Sequence, residues 1–492
     1  MRTLVIVLRL LPFALSFVRD HRRWLVGGRP LRRSAAFQAR RAERLSAAVA
    51  ALGPTFVKLA QVFASRADLV REPYLSALGR LMDRVPPVPY EAVRRQIVAS
   101  YGAEPEELWD DFDRTPLAAA SLGQVHRARY RGEDVVVKVL RPGVERLVTA
   151  DVVAANRILG FVARRWPTRQ VRAAQTVVAE FAVRTREELD FRQEAAFAKE
   201  VRENVSRRSD VIVPRVIDQF TRERVLVLEY IEGRRVDQLE EWIAEGRIVP
   251  RQLLQSVMEL YLQMMLVDGL FHADPHPGNL LVTRDGKVVV LDFGMVVRVP
   301  RQLRVDLVQT VFATIRRDID AVVDGFARLG VLESDADREE IAALIRLLLQ
   351  LSDMQLTTTE RLEHVLLSDN VMRQLYDAPV VLPSHLVYFA RTASLIEGLG
   401  TRYDPYFNPI SFASPVVLRL RRRIMASLRG EQAPQDWPSL IGSVVGDVAV
   451  VMQKAGREIA SIVGERFFGV PIGMVEVRRR TESSTAVARV LP

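Results

Sequence analysis

The 492-residue chain contains no cysteine. Disulfides, thiolate nucleophiles and cysteine-ligated zinc or iron–sulfur centres are therefore excluded. Lysine is almost as scarce. Lys58, Lys138, Lys199, Lys287 and Lys454 are the only five among 70 basic residues, and the rest are arginine. An arginine bias needs no functional cause, but it makes each lysine a position where arginine was not used. Long uncharged apolar runs are also missing. Leu4 to Val18 holds 15 residues interrupted by Arg9 and Pro12. As a helix it would measure about 22 Å, short of the ~30 Å hydrocarbon core of a bilayer. Arg19, Arg22 and Arg23 follow it in place of a small-residue cleavage site, so it does not read as a secretory signal. Leu440 to Val470 is broken by Asp447, Lys454, Arg457, Glu458, Glu465 and Arg466. No transmembrane helix is expected.

The composition is globular, at 49% hydrophobic and 26% charged. It argues against disorder, collagen or coiled coil as the main state. The net charge of +10 is uneven. Residues 1–50 hold 11 arginines against Asp20 and Glu43, which leaves the remainder nearly neutral. A neutral body argues against nucleic acid as a partner. A basic arm suits an anionic surface such as a membrane leaflet. Its apolar stretch reads equally as an interfacial segment or as a first helix packed on the body. The expected location is cytoplasmic, peripheral at the inner face of the membrane.

Five regions are expected: a basic arm (1–50), a helical extension (51–110), a β-rich lobe (111–232), a helical lobe (233–410) and a helical C-terminal region with a polar tail (411–492). In the β-rich lobe, Val125 to Tyr130 and Val135 to Leu140 read as strands about the turn Arg131-Gly132-Glu133-Asp134. One long helical region covers about Glu145 to Asn204. Val213 to Phe220 and Arg224 to Glu229 read as strands, and 235–271 as helical. Leu280 to Thr283 and Val288 to Leu291 read as short strands about Arg284-Asp285-Gly286. From about 300 the pattern is helical. The fold class is thus α+β, a small β-rich lobe followed by a helical one.

The chemistry concentrates in His272-Ala-Asp-Pro-His-Pro-Gly-Asn279, followed thirteen residues later by Asp292-Phe293-Gly294. Phosphoryl transfer needs oxygen ligands to hold Mg²⁺ on nucleotide phosphates. Asn279 and Asp292 can supply them, and Asp274, five residues before Asn279, can orient or deprotonate an acceptor. The order and spacing are those of a kinase catalytic loop and its Asp-Phe-Gly. His272 and His276 stand four apart, but Pro275 and Pro277 argue against a helical zinc pair. Val135-Val136-Val137-Lys138 is a strand ending in a compact ammonium that can reach phosphates. Before it, Ala118-Ala119-Ala120-Ser121-Leu122-Gly123-Gln124-Val125 has the shape of a kinase glycine loop with its first two glycines replaced by alanine. Their Cβ atoms restrict the backbone and change how phosphates are held. Glu194 is the natural partner of Lys138. It is expected on one helical face with Asp190, four residues earlier, with Glu187 and Glu188 nearby.

These linked motifs resemble the UbiB/AarF (ADCK-type) atypical kinase family from about Gly53 to Asp404. The family's Lys-x-Gly-Gln element stands here as Lys58-Leu59-Ala60-Gln61, with Ala60 in place of glycine. The resemblance implies a kinase-like two-lobe fold. It implies that the extension packs over the active site, with Lys58 approaching Glu188 or Asp190 and Gln61 in the same regulatory element. It implies ATP or ADP with Mg²⁺, held by Ala118, Ala119, Ala120, Ser121, Gly123, Val125, Lys138, Glu229 and Ile231. It also implies a setting in isoprenoid quinone or other lipid metabolism, with lipid or quinone-biosynthesis enzymes as partners. An atypical kinase or ATPase is the first reading. A nucleotide-binding scaffold without turnover and a small-molecule phosphotransferase are the alternatives. A conventional protein kinase is disfavoured, because the helical pattern resumes by Arg301 and no Ala-Pro-Glu follows.

Overall fold

The computed structural model describes residues 2–21, 33–64, 69–70, 72–81, 87–119, 122–165, 167–332, 336–353, 383–404, 407 and 409–428. The predicted C-terminal tail, the stretch from Leu440 to Val470, Lys454, Ala120 and Ser121 lie outside them.

Six helices precede the first strand: α1 (Arg2–His21), α2 (Ala35–Ala50), α3 (Pro54–Ala64), α4 (Tyr74–Gly79), α5 (Tyr90–Tyr101) and α6 (Pro105–Leu108). Proline at the first helical position starts α3 and α6. Gly102, at φ 72°, ends α5 in the left-handed conformation. Arginines fasten the basic arm to the body. Arg2 reaches the carboxylate of Asp151 at 2.5 and 3.0 Å and the carbonyl of Leu52. Arg41 bonds Asp20, Ser16 and Tyr74 and stacks on the Phe17 ring at 4.2 Å.

The small lobe is an antiparallel sheet built from β1 (Asp111–Ala119), β2 (Gly123–Tyr130), β3 (Glu133–Leu140) and, later in the chain, the strand Val225–Glu229. The turn between β2 and β3 is only Arg131-Gly132, at φ 53° and 78°. That is the primed geometry that matches strand twist. Glu133 and Asp134 already belong to β3. Alternation along β3 sends Val135, Val137 and Val139 into a cluster with Val93, Ile97, Trp109 and Phe112. Val136, Lys138 and Leu140 therefore face the opposite way, toward the interlobe cleft.

Three expectations are corrected here. The single helical region after β3 is three helices: α7 (Val144–Arg165), α8 (Arg169–Glu188) and α9 (Phe191–Asn204). Pro167 breaks the first junction, where Thr168 caps α8, and Asp190 caps α9 at the second. Asp190 thus lies outside the helix that carries Glu194, and the two do not share a helical face. The run Val213 to Phe220 is not a strand. Pairing stops after β4 (Val211–Ile212), since Pro214 has no N–H to donate. Only a bridge at Val216 and a single 3₁₀ turn (Asp218–Phe220) follow before β5 (Val225–Glu229). The region 235–271 is not all helix either. It holds β6 (Arg234–Arg235), α10 (Glu240–Ala244), α11 (Pro250–Leu262), a π turn (Gln263–Asp268) and β7 (Leu270–His272).

The second lobe adds β8 (Leu280–Val282), β9 (Val288–Val290) and β10 (Val296–Arg298). One small sheet runs β4-β9-β8-β6 and a ribbon pairs β10 with β7. Helices α12 (Arg301–Arg316), α13 (Ile319–Arg328), α14 (Arg338–Asp353), α15 (Ser384–Tyr403) and α16 (Pro409–Leu428) complete it. No described helix is long and apolar enough to cross a membrane. The α+β two-lobe kinase-like fold is the one expected.

At the π turn Gln263 is fully buried and donates to the Asn204 carbonyl at 3.0 Å and to Asp268 at 3.2 Å. Burial pushes the Asp268 carboxyl up to about 6. A raised carboxyl pKa means that the folded state loses stability as pH rises from about 4 to 6. Asp268→Asn is therefore expected to stabilise the protein at pH 7, by up to about 3 kcal/mol. The gain should fade below about pH 4, as read by denaturant unfolding at both pH values.

Candidate active site

Two lysines and four carboxylates converge between the lobes. Lys138 lies on β3 opposite Val125 of β2 and Leu226 of β5. Its ammonium donates to both oxygens of Glu194, at 2.8 and 2.9 Å, and sits 3.2 Å from Asp292. It also lies 5.2 Å from the centre of the Phe191 ring. Glu194 is in the first turn of α9, and Asp292 follows β9. From the other side α3 brings Lys58 onto Glu188, the last residue of α8. Of the two predicted partners Lys58 takes Glu188. Asp190 instead accepts from the Arg192 backbone at 3.0 Å and pairs with its guanidinium at 2.8 Å. Glu187 turns away to Arg184 at 3.2 Å.

The catalytic-loop segment is held by its own hydrogen bonds. Asn279 donates to the Asp274 carbonyl at 3.1 Å and to its carboxylate at 3.2 Å. His276 accepts from Gly278 N–H at 3.0 Å, which closes a 3₁₀ turn. His272 is fully buried, with Nε2 at 2.7 Å from the Asp292 carbonyl oxygen. Asp292 adopts a left-handed backbone, φ 57°, and its carboxylate accepts from Gly294 N–H at 3.0 Å. A Cβ on Gly294 would stand 3.1 Å from that carboxylate. The side chain of Asp292 is 43% exposed and so opens into the cleft.

Carboxylates outnumber ammoniums here, and the titration follows. Burial disfavours the Lys138 ammonium, but Asp292 and Glu194 outweigh it and hold the group above its usual range. Lys58 is likewise raised against burial by Glu188, with help from Asp274 and Asp292. Burial pushes Glu194 up to about 7 against the pull of Lys138. Glu188 also rises through burial, and its Oε1 is buried without a hydrogen-bond partner among the described residues. Partial desolvation would raise Asp292 too, yet Lys138 and the Gly294 N–H hold it down at about 2. A buried polar oxygen without a partner, beside excess negative charge, suits a cation. Among the described residues no three acidic or histidine side chains form a ready-made metal site. Mg²⁺ on a nucleotide needs only one or two protein ligands, the phosphates supplying the rest.

The remaining predicted positions fall around this centre. Ala118 and Ala119 end β1, paired with Val125 and Gln124. Gly123 is required by packing, because a Cβ there would stand 2.8 Å from the Val139 carbonyl oxygen. Glu229 closes β5, its carboxylate accepting from Arg215 N–H at 3.1 Å. Ile231 follows it, half-buried. Gln61 donates to the Leu81 carbonyl at 2.8 Å, so it anchors α3 and does not reach the charged cluster. Two residues were missed. Gln124 is buried and accepts from Val88 N–H at 2.9 Å, fastening the extension to β2. Tyr261, buried on α11, has a hydroxyl with no partner among the described residues, in the field of Asp274. Gln124 stood beside the quoted glycine, and nothing in the sequence marked Tyr261.

Comparison with known proteins fits this arrangement. Residues 80–325 match the model of the ABC1 atypical kinase-like domain, half of the chain. The uncharacterized protein sll0095 of Synechocystis is 33% identical over 391 residues, 78% of this chain and 68% of that one.

The chain belongs to the ABC1 atypical kinase-like family.

Protein ACTIVITY OF BC1 COMPLEX KINASE 3, chloroplastic, of Arabidopsis thaliana is 33% identical over 371 residues, 74% of this chain and 51% of its own. The chain spans about half to two thirds of the length of these ABC1 relatives. Among solved structures it aligns with Rv3197 of Mycobacterium tuberculosis, in its erythromycin complex, at 25% identity and TM-score 0.49. That alignment covers 75% of this chain and 94% of the other.

The Lys58–Glu188 pair is largely buried, so removing one partner strands the other. Lys58→Met and Glu188→Met are each expected to cost about 3 kcal/mol, and the double variant less than the sum. A double-mutant cycle by chemical denaturation reads the coupling.

Proposed function

We propose that this ABC1-family chain is an atypical kinase or ATPase that works with Mg-ATP. One observation carries the reading: Lys138 contacts both Glu194 and Asp292, the pairing that a kinase-type site uses to place phosphates beside its metal ligand. In this reading Lys138 holds phosphate oxygens and Glu194 orients it. Asn279 and Asp292 would hold Mg²⁺, which would supply charge neutralisation on the phosphates. Asp274, fixed by Asn279, accepts the proton of the acceptor hydroxyl, or of water in an ATPase. The Gly123 end of the loop and the backbone at Glu229 and Ile231 border the nucleotide.

Lys58 on α3 stands close enough to feel the charges of both Asp274 and Asp292, and α12 begins seven residues after Gly294. This favours a small or membrane-held client over a peptide. The resemblance to UbiB/AarF proteins supports a client in isoprenoid quinone or other lipid metabolism at the inner face of a membrane. The name of the Arabidopsis relative supports kinase activity. The same Lys58–Glu188 closure favours one second reading, a nucleotide-binding scaffold without turnover.

The test is paired binding and turnover. Mg-ATP should raise the Tm of the full chain, and Asp292→Asn should remove the magnesium-dependent part of the shift. Steady-state turnover should fall by about 100-fold in Lys138→Met and Asp292→Asn. Wild-type binding without turnover favours the scaffold, and no shift at all defeats both readings.

A further inference from the structure

A series of hydrogen bonds crosses the back of the small-lobe sheet. Gln124, His126 and Ala128 alternate along β2 and stand opposite Val139, Val137 and Val135 of β3, on the face turned away from the cleft. Val125, between the first two, stands opposite Lys138 on the cleft face. Gln124 and His126 are fully buried, and the His126 ring stacks on Phe112 at 5.1 Å. His126 Nδ1 lies 2.8 Å from the Asp113 carbonyl oxygen, and its Nε2 lies 2.8 Å from Gln124 Nε2. Gln124 Oε1 in turn accepts from Val88 N–H at 2.9 Å, and its Nε2 lies 3.5 Å from the Val88 carbonyl oxygen. Val88 packs on the same face of the sheet, just before α5. The series therefore starts on β1, passes through two side chains of β2 and ends in the N-terminal extension.

Every link runs in one direction. A carbonyl oxygen only accepts, so Nδ1 carries the ring proton and Nε2 of the neutral ring is an acceptor. Burial holds the His126 ring below its usual value against the pull of the Asp113 carbonyl, which keeps the ring neutral near pH 7. Nε2 then takes a hydrogen from the Gln124 amide, and the amide oxygen is left to face Val88 N–H. With the amide reversed, its oxygen would meet a bare ring nitrogen and its NH₂ would meet the Val88 N–H, so both bonds would be lost. The Asp113 carbonyl thus fixes, through His126, the orientation in which Gln124 holds Val88. The alanine-rich loop starts from the same place. Ala119 is the backbone partner of Gln124, and Ala118 that of Val125. Gly123 has no slack, since a Cβ there would stand 2.8 Å from the Val139 carbonyl oxygen. A displacement of Gln124 is therefore passed to both stems of the loop.

We infer that Gln124 and His126 are positioning residues through which the N-terminal extension sets the nucleotide loop from behind the sheet. Filling the core alone would call for apolar side chains, such as the three valines on the facing strand. Two buried polar side chains cost free energy unless they are hydrogen-bonded, and what they supply here is orientation. The inference rests on the Mg-ATP reading of the cleft. It gives the extension a second fastening, apart from the Lys58–Glu188 pair. Lys58 reaches α8, whereas Val88 reaches the sheet that carries Lys138.

The test is the Kd of Mg-ADP, measured by calorimetry on the full chain near pH 7, beside the Tm without nucleotide. Val88→Pro deletes the N–H that Gln124 holds, in a segment that already reads Pro86-Pro87-Val88-Pro89. It should raise Kd by about fivefold, and His126→Phe, which keeps a ring on Phe112, by a similar factor. In the double variant the two factors should not multiply, because either change breaks the same series. Tyr101→Phe is the control. It removes a hydrogen bond to the Phe220 carbonyl elsewhere on the same face, and should lower Tm with Kd unchanged. A wild-type Kd in Val88→Pro overturns the inference, as does an equal rise in Tyr101→Phe or a pair of factors that multiply. If His126→Phe loses its fold, Val88→Pro against Tyr101→Phe decides. Wild-type binding that the variants leave unaltered defeats this inference alone. A wild-type chain that binds no Mg-ADP defeats the nucleotide reading and this inference with it.

Discussion

The structure turns on a shortage of positive charge in a buried place. Glu188, Glu194, Asp274 and Asp292 meet two ammoniums, Lys58 and Lys138. Carboxylates taken out of water must be paired, protonated or supplied with a cation. Each lysine therefore fixes a different part of the molecule. Lys138 ties the small-lobe sheet to α9 and to the turn after β9. Lys58 ties the N-terminal extension to the end of α8. Burial keeps the Glu188 and Glu194 carboxyls raised although each has an ammonium beside it. A divalent cation at Asn279 and Asp292, as proposed for this site, would add positive charge there.

The same logic divides the arginines of the N-terminal segment. Arg2, Arg33 and Arg41 are spent inside, on Asp151 and Asp20, where they pin helices together. Arg9 and Arg19 remain outside beside the leucines. Segment charge alone could not separate these two jobs. Of the two readings of the first helix, the structure shows the packed one: α1 packs on the body through Ile6 and leaves its leucines exposed.

Much of the small lobe was legible locally. The strands on either side of Arg131-Gly132 are short-range signals, but β3 is apolar on both faces, so only its packing shows that Lys138 faces the cleft. The order of Asp274, Asn279 and Asp292 was equally legible, since one loop and one turn carry all three. Errors came where a single residue overrode a favourable run. Pro214 ended a strand, and Pro167 and Asp190 divided a helical stretch into three. Dividing it also separated Asp190 from Glu194, so two acids that look like neighbours at helical spacing serve different ends.

What the sequence determined by itself is the set of chemical groups and their order: no thiols, five lysines, and a kinase-type order of Asp and Asn. Only the tertiary structure decided which lysine meets which acid. Lys58 and Glu188 are 130 residues apart and Lys138 and Glu194 are 56 apart. Pairing over such distances depends on how α3, α8, α9 and β3 pack, and packing is set by the burial of many side chains at once. The leucines of α1 make the same point. The apolar stretch from Leu4 to Val18 was visible in the sequence, but which face stayed in water was settled by where Ile6 and Arg2 found the body.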